Sequence, residues 1–353
     1  MKHATDEFLR PALRRADRTM SGSLQQNIPY KQNQCPIRVI GRARARVSST
    51  QGEEQDEEAA EAAARAVMDA MEMARGKGLL PSPTELHLDT AKTCATLPPL
   101  RWHHWGHQPH KMRLTNTGCT VMVSAKWRAK VRAHLTGGPL LGRYVFSQLH
   151  FHWGQQDTEG SEHTLQGDSF PLEMHMVLFK SRYLTQEAAL KEMDGVVEVA
   201  YFFQLVKKDN PHLEPMIQAL PKVACAMKST RFGPLPLSEL VPSFPTDYLL
   251  YMGSLLTGKC AHALTWIVRY QPLSISKRQL EALRSVYGLD GNPLLRNWRK
   301  AHPPMGRTVL HVVPPGTKKS VKGDQFSSLN LMNEGRWIAV CDELENESDW
   351  DHV

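Results

Sequence analysis

Two runs in the middle of the chain carry the clearest pattern of apolar and polar positions. Tyr144 to Trp153 is rich in aromatic and β-branched residues and sets Gln148, His150 and His152 two apart. Leu172 to Phe179 is solidly apolar except at Glu173 and His175. Both read as strands. Val196 to Leu205 reads as a third, buried strand interrupted by Glu198, and residues 186–194 read as a short helix. Upstream, residues 53–75 are dominated by Ala and Glu. Acids crowd their start, where they complement the helix dipole, and Gly76 and Gly78 end the pattern. This predicts a surface helix over 53–78 with a weak apolar stripe, Ala63, Val67, Met71 and Ala74, acting as a solvated connector. Periodicity alone gives a strand-rich domain over residues 79–315.

The flanks lack any such period. Residues 1–50 hold ten Lys or Arg against three acidic residues and few large apolar side chains, so residues 1–52 read as a disordered basic region. Residues 316–353 read as a largely disordered tail, acidic from Cys341 onward. The first twenty residues lack the apolar core of a secretory signal, and no apolar run reaches the length of a membrane span. A cytoplasmic location is expected, or a secreted one if this N-terminus is a variant of a signal-bearing form. Arg42 to Arg46 reads as part of a solvated tail, so no nucleic-acid partner is expected. In 353 residues with net charge +7, the six cysteines are widely spaced without a CxxC pair, which argues against a zinc knuckle or redox motif.

Successive strand side chains point to opposite faces, so Gln148, His150 and His152 share one face, and Glu173, His175 and Val177 share another. If those faces meet, three imidazoles converge, the number a catalytic zinc site needs. Each metal-bound imidazole usually gives its other N–H to an acceptor. Gln148 stands two residues before His150, and Glu173 two before His175, each placed to hold a ring. An isolated His-x-His pair is more often two ordinary histidines; the repeated acceptors favour metal here. The four histidines of residues 102–110 have no carboxylate or Cys neighbour and read as incidental residues of an exposed loop.

The run Gln148-Leu-His-Phe-His-Trp-Gly, then Gly160-Ser-Glu-His-Thr, then Glu173-Met-His175 closely resembles the α-type carbonic anhydrases. The resemblance continues through Gly137-Gly-Pro-Leu, Asp247-Tyr-x-x-Tyr-x-Gly-Ser-Leu, Thr265-Trp-Ile-Val and Asn297-Trp-Arg, and spans about residues 80–313. It implies an α+β fold: a single domain with a large twisted, mostly antiparallel β-sheet and short peripheral helices. It implies Zn2+ on His150, His152 and His175, with Gln148, Glu173 and the backbone carbonyl of Asn297 holding the rings. It also implies carbon dioxide and bicarbonate as substrates, a carbonate dehydratase (zinc lyase) activity, and a non-polar wall of Val177, Leu255 and Trp266.

Several positions depart from the family pattern. The segment that precedes Ser82-Pro83 in the family, rich in Trp, Gly and Pro, is absent, and the acidic helix stands in its place. Cys119 occupies the position of the proton-shuttling histidine of the fast members; a thiol titrates near 8.5, an imidazole near 6.5. Leu256 replaces the threonine that links the buried glutamate, here Glu162, to the attacking oxygen, and Thr257 substitutes only if the loop shifts by one residue. Glu198 either enters the carbon dioxide pocket or is turned outward by a register shift. Cys260 matches half of a disulfide whose partner belongs to the absent segment. Two readings stay open: a zinc lyase slowed by Leu256 and Cys119, and a catalytically impaired carbonic anhydrase-related binding protein that retains zinc.

Overall fold

Strands carry backbone donors and acceptors along both edges, and the computed structural model pairs them in a 12-stranded sheet. It describes residues 51–76, 80–128, 131–244, 247–257 and 260–316, with the backbone alone at 51–58, 256–257 and 260–261. The expectations for residues 1–50 and 317–353 lie outside these. In chain order the elements are helix α1 (Gln51–Arg75), then strands β1 (Glu85–Leu86), β2 (Lys92–Cys94), β3 (Leu100–His103), β4 (Lys111–Asn116), β5 (Val121–Lys126) and β6 (His134–Gly137). The long β7 (Leu140–Trp153), β8 (Thr164–Leu165), β9 (Leu172–Lys180), helix α2 (Gln186–Ala189), β10 (Val196–Val206) and helix α3 (Glu214–Ala219) follow. The chain continues with β11 (Ser229–Arg231), β12 (Tyr248–Thr257), β13 (Cys260–Ser276), helix α4 (Lys277–Arg284) and β14 (Leu310–Val312).

The main path of the large sheet runs β11-β4-β5-β7-β9-β10-β13-β12-β14-β2, with β6 joining β3 to β7. Pairing is antiparallel except between β10 and β13 and between β14 and β2. Strand alternation splits the core into two layers. On β9, Met174, Met176 and Leu178 point into one cluster, while Val177 and Phe179 point into the other with Trp266 and Phe202. The helices that follow α1 are short and peripheral. Ser276 caps α4 through a reciprocal capping box with Gln279, and Thr185 caps α2 through the amide of Ala188.

Helix α1 differs from the solvated connector expected. Val67, Ala70 and Ala74 are buried in the first core layer, with Met71 packed alongside, and the helix rests against β12 and β7. Small side chains let its backbone approach the sheet closely, so a stripe weak in hydrophobicity still buries well. The 102–110 segment also departs from expectation: Trp102 and His103 belong to β3, and Trp105 is buried with its indole N–H on the carbonyl of Val241.

Candidate metal centre

Strands β7 and β9 are hydrogen-bonded neighbours, and their register sets His150 directly opposite His175 and His152 opposite Glu173. The histidines therefore project from one face of one sheet, the face that carries Val177. One ligand nitrogen from each of His150, His152 and His175 lies within 4.8 Å of the others. His152 and His175 are buried and His150 is partly buried. The opposite face of β7 anchors the strand, with Leu149, Phe151 and Trp153 buried in the core.

Each ring has an acceptor that fixes its orientation. His150 Nδ1 lies 3.1 Å from Gln148 Oε1, His152 Nδ1 lies 3.3 Å from the Asn297 carbonyl, and His175 Nε2 lies 2.6 Å from Glu173 Oε1. A carboxylate only accepts, so His175 donates through Nε2 and turns Nδ1 toward the other rings. Glu173 also accepts from the backbone amides of Glu162 and His163 and from His163 Nδ1, while His163 Nε2 meets the Tyr251 hydroxyl at 2.6 Å. His163, Glu173 and His175 form a second cluster of close donor atoms. Two of its nitrogens are already committed to Glu173, so it serves as a hydrogen-bonded brace. His163 and Tyr251 were not legible as site residues; only the density of polar groups around Glu162-His163 hinted at them.

Electrostatics follow from this burial. Desolvation pushes His150 well below the ordinary imidazole range and His152 down to about 4, so both are neutral at pH 7 and able to bind metal. Burial pulls His175 the same way, but the charge and hydrogen bond of Glu173 outweigh it and raise this ring. His152 Nε2 is buried and has no hydrogen-bond partner among the described residues. An orphaned buried nitrogen is costly unless something fills its lone pair. Three imidazoles with outer nitrogens braced and an orphan inside fit a zinc ion.

Glu162 is fully buried, and Arg299 holds it. The Arg299 backbone amide and Nε reach Oε1 at 3.1 and 2.8 Å, and Nη2 reaches Oε2 at 2.7 Å. Burial opposes ionisation, yet the charges of His152 and Arg299 and the Arg299 hydrogen bonds hold this carboxyl well below the usual range. Arg299 is a partner the sequence reading missed, although it closes the Asn297-Trp-Arg motif. The side chain of Asn297 ties the site to its rim, donating to the carbonyls of Cys119 and Phe151 and accepting from the Trp153 amide.

Register decides where Glu198 points. On β10 it lies between Val177 of β9 and Trp266 of β13, both buried, in the row beside the histidines. Its Oε2 is 3.7 Å from His175 Nδ1, and burial pushes its pKa up. The outward alternative is not taken: a carboxylate interrupts the apolar wall of Val177 and Trp266. Leu255 is half-buried against the same layer. The side chains of Leu256, Thr257 and Cys260 lie outside the described residues.

A large mixed sheet whose central strands gather three braced imidazoles is the arrangement that the resemblance to carbonic anhydrases implies. The family profile of eukaryotic-type carbonic anhydrases matches residues 70–313, and the chain belongs to that family. It is 34% identical over 239 residues to carbonic anhydrase 3 of Sus scrofa, an alignment covering 66% of this chain and 89% of that protein. Carbonic anhydrase 3 of Mus musculus is 33% identical over 239 residues and that of Homo sapiens 32% over 237, with the same shares covered.

Proposed function

We propose that this chain binds one zinc ion through His150, His152 and His175 and catalyses the reversible hydration of carbon dioxide to bicarbonate, as a carbonate dehydratase of reduced efficiency. The observation that supports it most is the convergence of three ligand nitrogens, one of them the orphaned His152 Nε2. Bound zinc supplies a Lewis acid that brings the pKa of water to about 7, a value established for carbonic anhydrases themselves.

The chain's own residues do the rest. Gln148, the Asn297 carbonyl and Glu173 hold the rings, and Glu173 keeps a proton at His175 Nε2. Glu162, locked by Arg299, places a fixed negative charge 3.3 Å from His152 Nδ1. Val177, Leu255 and Trp266 offer apolar contact to a molecule with no hydrogen-bond donors. Two features limit turnover: Leu256 has no hydroxyl to align the attacking oxygen, and Glu198 sets a carboxylate in the apolar wall. With Leu256 in place, Thr257 is the nearest hydroxyl in sequence, and a one-residue shift of the loop gives it the orienting role. No helix among the described residues is long and apolar enough to cross a membrane. We place the chain in the cytoplasm; among the described residues the thiols of Cys94 and Cys225 are unbridged.

Glu198 favours a second reading, a zinc-retaining binding protein without useful turnover. Stopped-flow hydration of carbon dioxide by the zinc-loaded chain, blanked with His152→Ala, separates the two. The lyase reading expects a rate clearly above the blank; a rate at the blank with zinc bound one to one leaves the binding protein.

A further inference from the structure

From Thr90 to Gln156 the chain contains no Asp or Glu but nine Lys or Arg. The fold concentrates several of these at one edge of the sheet. Lys111 on β4 lies directly opposite Lys126 on β5, and Arg113 on β4 lies directly opposite Arg231 on β11. Like charges facing each other across strands are destabilising, and sheets ordinarily avoid them. Here two such pairs sit side by side, because Lys111 and Arg113 are two residues apart and share a strand face. Among the described residues no carboxylate lies within ion-pair distance of any of the four. The partner of Arg113 among the described residues is neutral, the Ser229 hydroxyl at 2.8 Å.

The four cations line a concavity of about 720 Å³ together with Arg132 and Trp127, and among the described residues no acidic side chain lines it. Its size falls in the range of small-molecule pockets, about 300 to 1,000 Å³. Trp127 is pinned by its indole N–H on the His107 carbonyl and by an edge contact with Phe146, so one wall is rigid and apolar. Arg132 is likewise fixed, its Nε on the Phe146 carbonyl. His110 beside the pocket shows the same field: slight burial first, then Arg128, Lys111 and Arg231, lower its pKa. None of the metal-centre residues lines this pocket.

We propose that the pocket formed by Lys111, Arg113, Lys126 and Arg231 is a binding site for a small polyphosphate. Opposed residues whose backbones lie about 5 Å apart across strands, and about 7 Å apart along one, bring several positive side chains within reach of a short phosphate chain. A concave pocket of nucleotide size takes a small molecule in preference to the convex backbone of a duplex. An anion bridging the pairs converts two repulsions into four attractions, so the unbalanced charge becomes a source of affinity.

Isothermal titration of the full chain with sodium tripolyphosphate, ATP and inositol hexakisphosphate tests this, in buffer of fixed salt. One-to-one binding of at least one of them is expected, weakening as salt rises. Tripolyphosphate binding as tightly as the others identifies the phosphate chain as the recognised element. Tighter ATP or inositol hexakisphosphate identifies a nucleoside or an inositol ring as part of it. The variant Arg113→Gln/Arg231→Gln should bind at least about tenfold more weakly, and Lys92→Gln on the opposite sheet edge should bind as wild type. Should the double variant not fold, Lys126→Gln alone carries the same expectation in direction. Absence of millimolar binding by all three probes, or undiminished binding by the folded variants, overturns the proposal.

Discussion

Replacing Glu198 with valine removes a carboxylate that the fold buries with little to hold it. Glu198 is 7% exposed, flanked by Val177 and Trp266, and its nearest cationic partner is His175 Nδ1 at 3.7 Å. A full charge pair at that separation attracts by about 4 kcal/mol at an effective dielectric near 20. Burying each ion costs several kcal/mol, and the attraction exists only while His175 is protonated. Desolvation wins, as the raised pKa of Glu198 indicates. Valine fits the row and completes the apolar wall, so Glu198→Val should stabilise the metal-free protein by about 1 to 3 kcal/mol at pH 7. For a domain of this size each kcal/mol moves Tm by about 2 to 4 °C. Calorimetry of chelator-treated wild type, Glu198→Val and Glu198→Gln should show Tm rising, most in the valine variant. A Tm at or below wild type in Glu198→Val would show that the carboxylate has support this reasoning has overlooked. The zinc-loaded valine variant should also hydrate carbon dioxide faster than wild type.

Arg299→Leu strips a buried carboxylate of its partner, an arginine whose side chain as a whole is 41% exposed. A loss of about 2 to 3 kcal/mol by urea denaturation is expected, largely recovered by adding Glu162→Gln; no recovery would mean that Arg299 acts through packing. Leu256→Thr returns a hydroxyl where the family has one and should raise the hydration rate at least about tenfold, and an unchanged rate would place the limitation elsewhere. Val67→Asp sets a charge where α1 meets the sheet and should cost about 2 to 3 kcal/mol. If α1 were a free connector, denaturation would be unchanged. Asp194 has its pKa lowered; burial opposes this, but hydrogen bonds from Lys180 and Tyr183 prevail. A carboxyl lowered in the folded state stabilises above its unfolded pKa near 3.9, and the gain disappears as pH falls through the lower folded value. The stability gap between wild type and Asp194→Asn should thus be present at pH 6 and close in strong acid.

The strands that carry the site were legible because their chemistry is local. Period-two placement sets Gln148 under His150 and Glu173 under His175 whatever the tertiary fold, and those pairs are hydrogen-bonded in the structure. What the residues alone could not give was pairing between distant segments. The direction of Glu198 depends on its register with Val177 and Trp266, one on each neighbouring strand. Arg299 reaches Glu162 across 137 residues of chain, and His163 reaches Tyr251 across 88. The alanines of α1 signal a helix but not a buried one, because small side chains score weakly while packing closely. The cationic pocket joins Lys111, Lys126 and Arg231 from three strands, and no stretch of sequence displays them together.

The claim on which the account turns is that His150, His152 and His175 jointly hold a single zinc. Elemental analysis after zinc loading and gel filtration tests it most directly, comparing wild type with His152→Ala, the variant that removes the orphaned nitrogen. One zinc per wild-type chain is expected, and a small fraction of that in the variant. Full zinc occupancy in folded His152→Ala would contradict it.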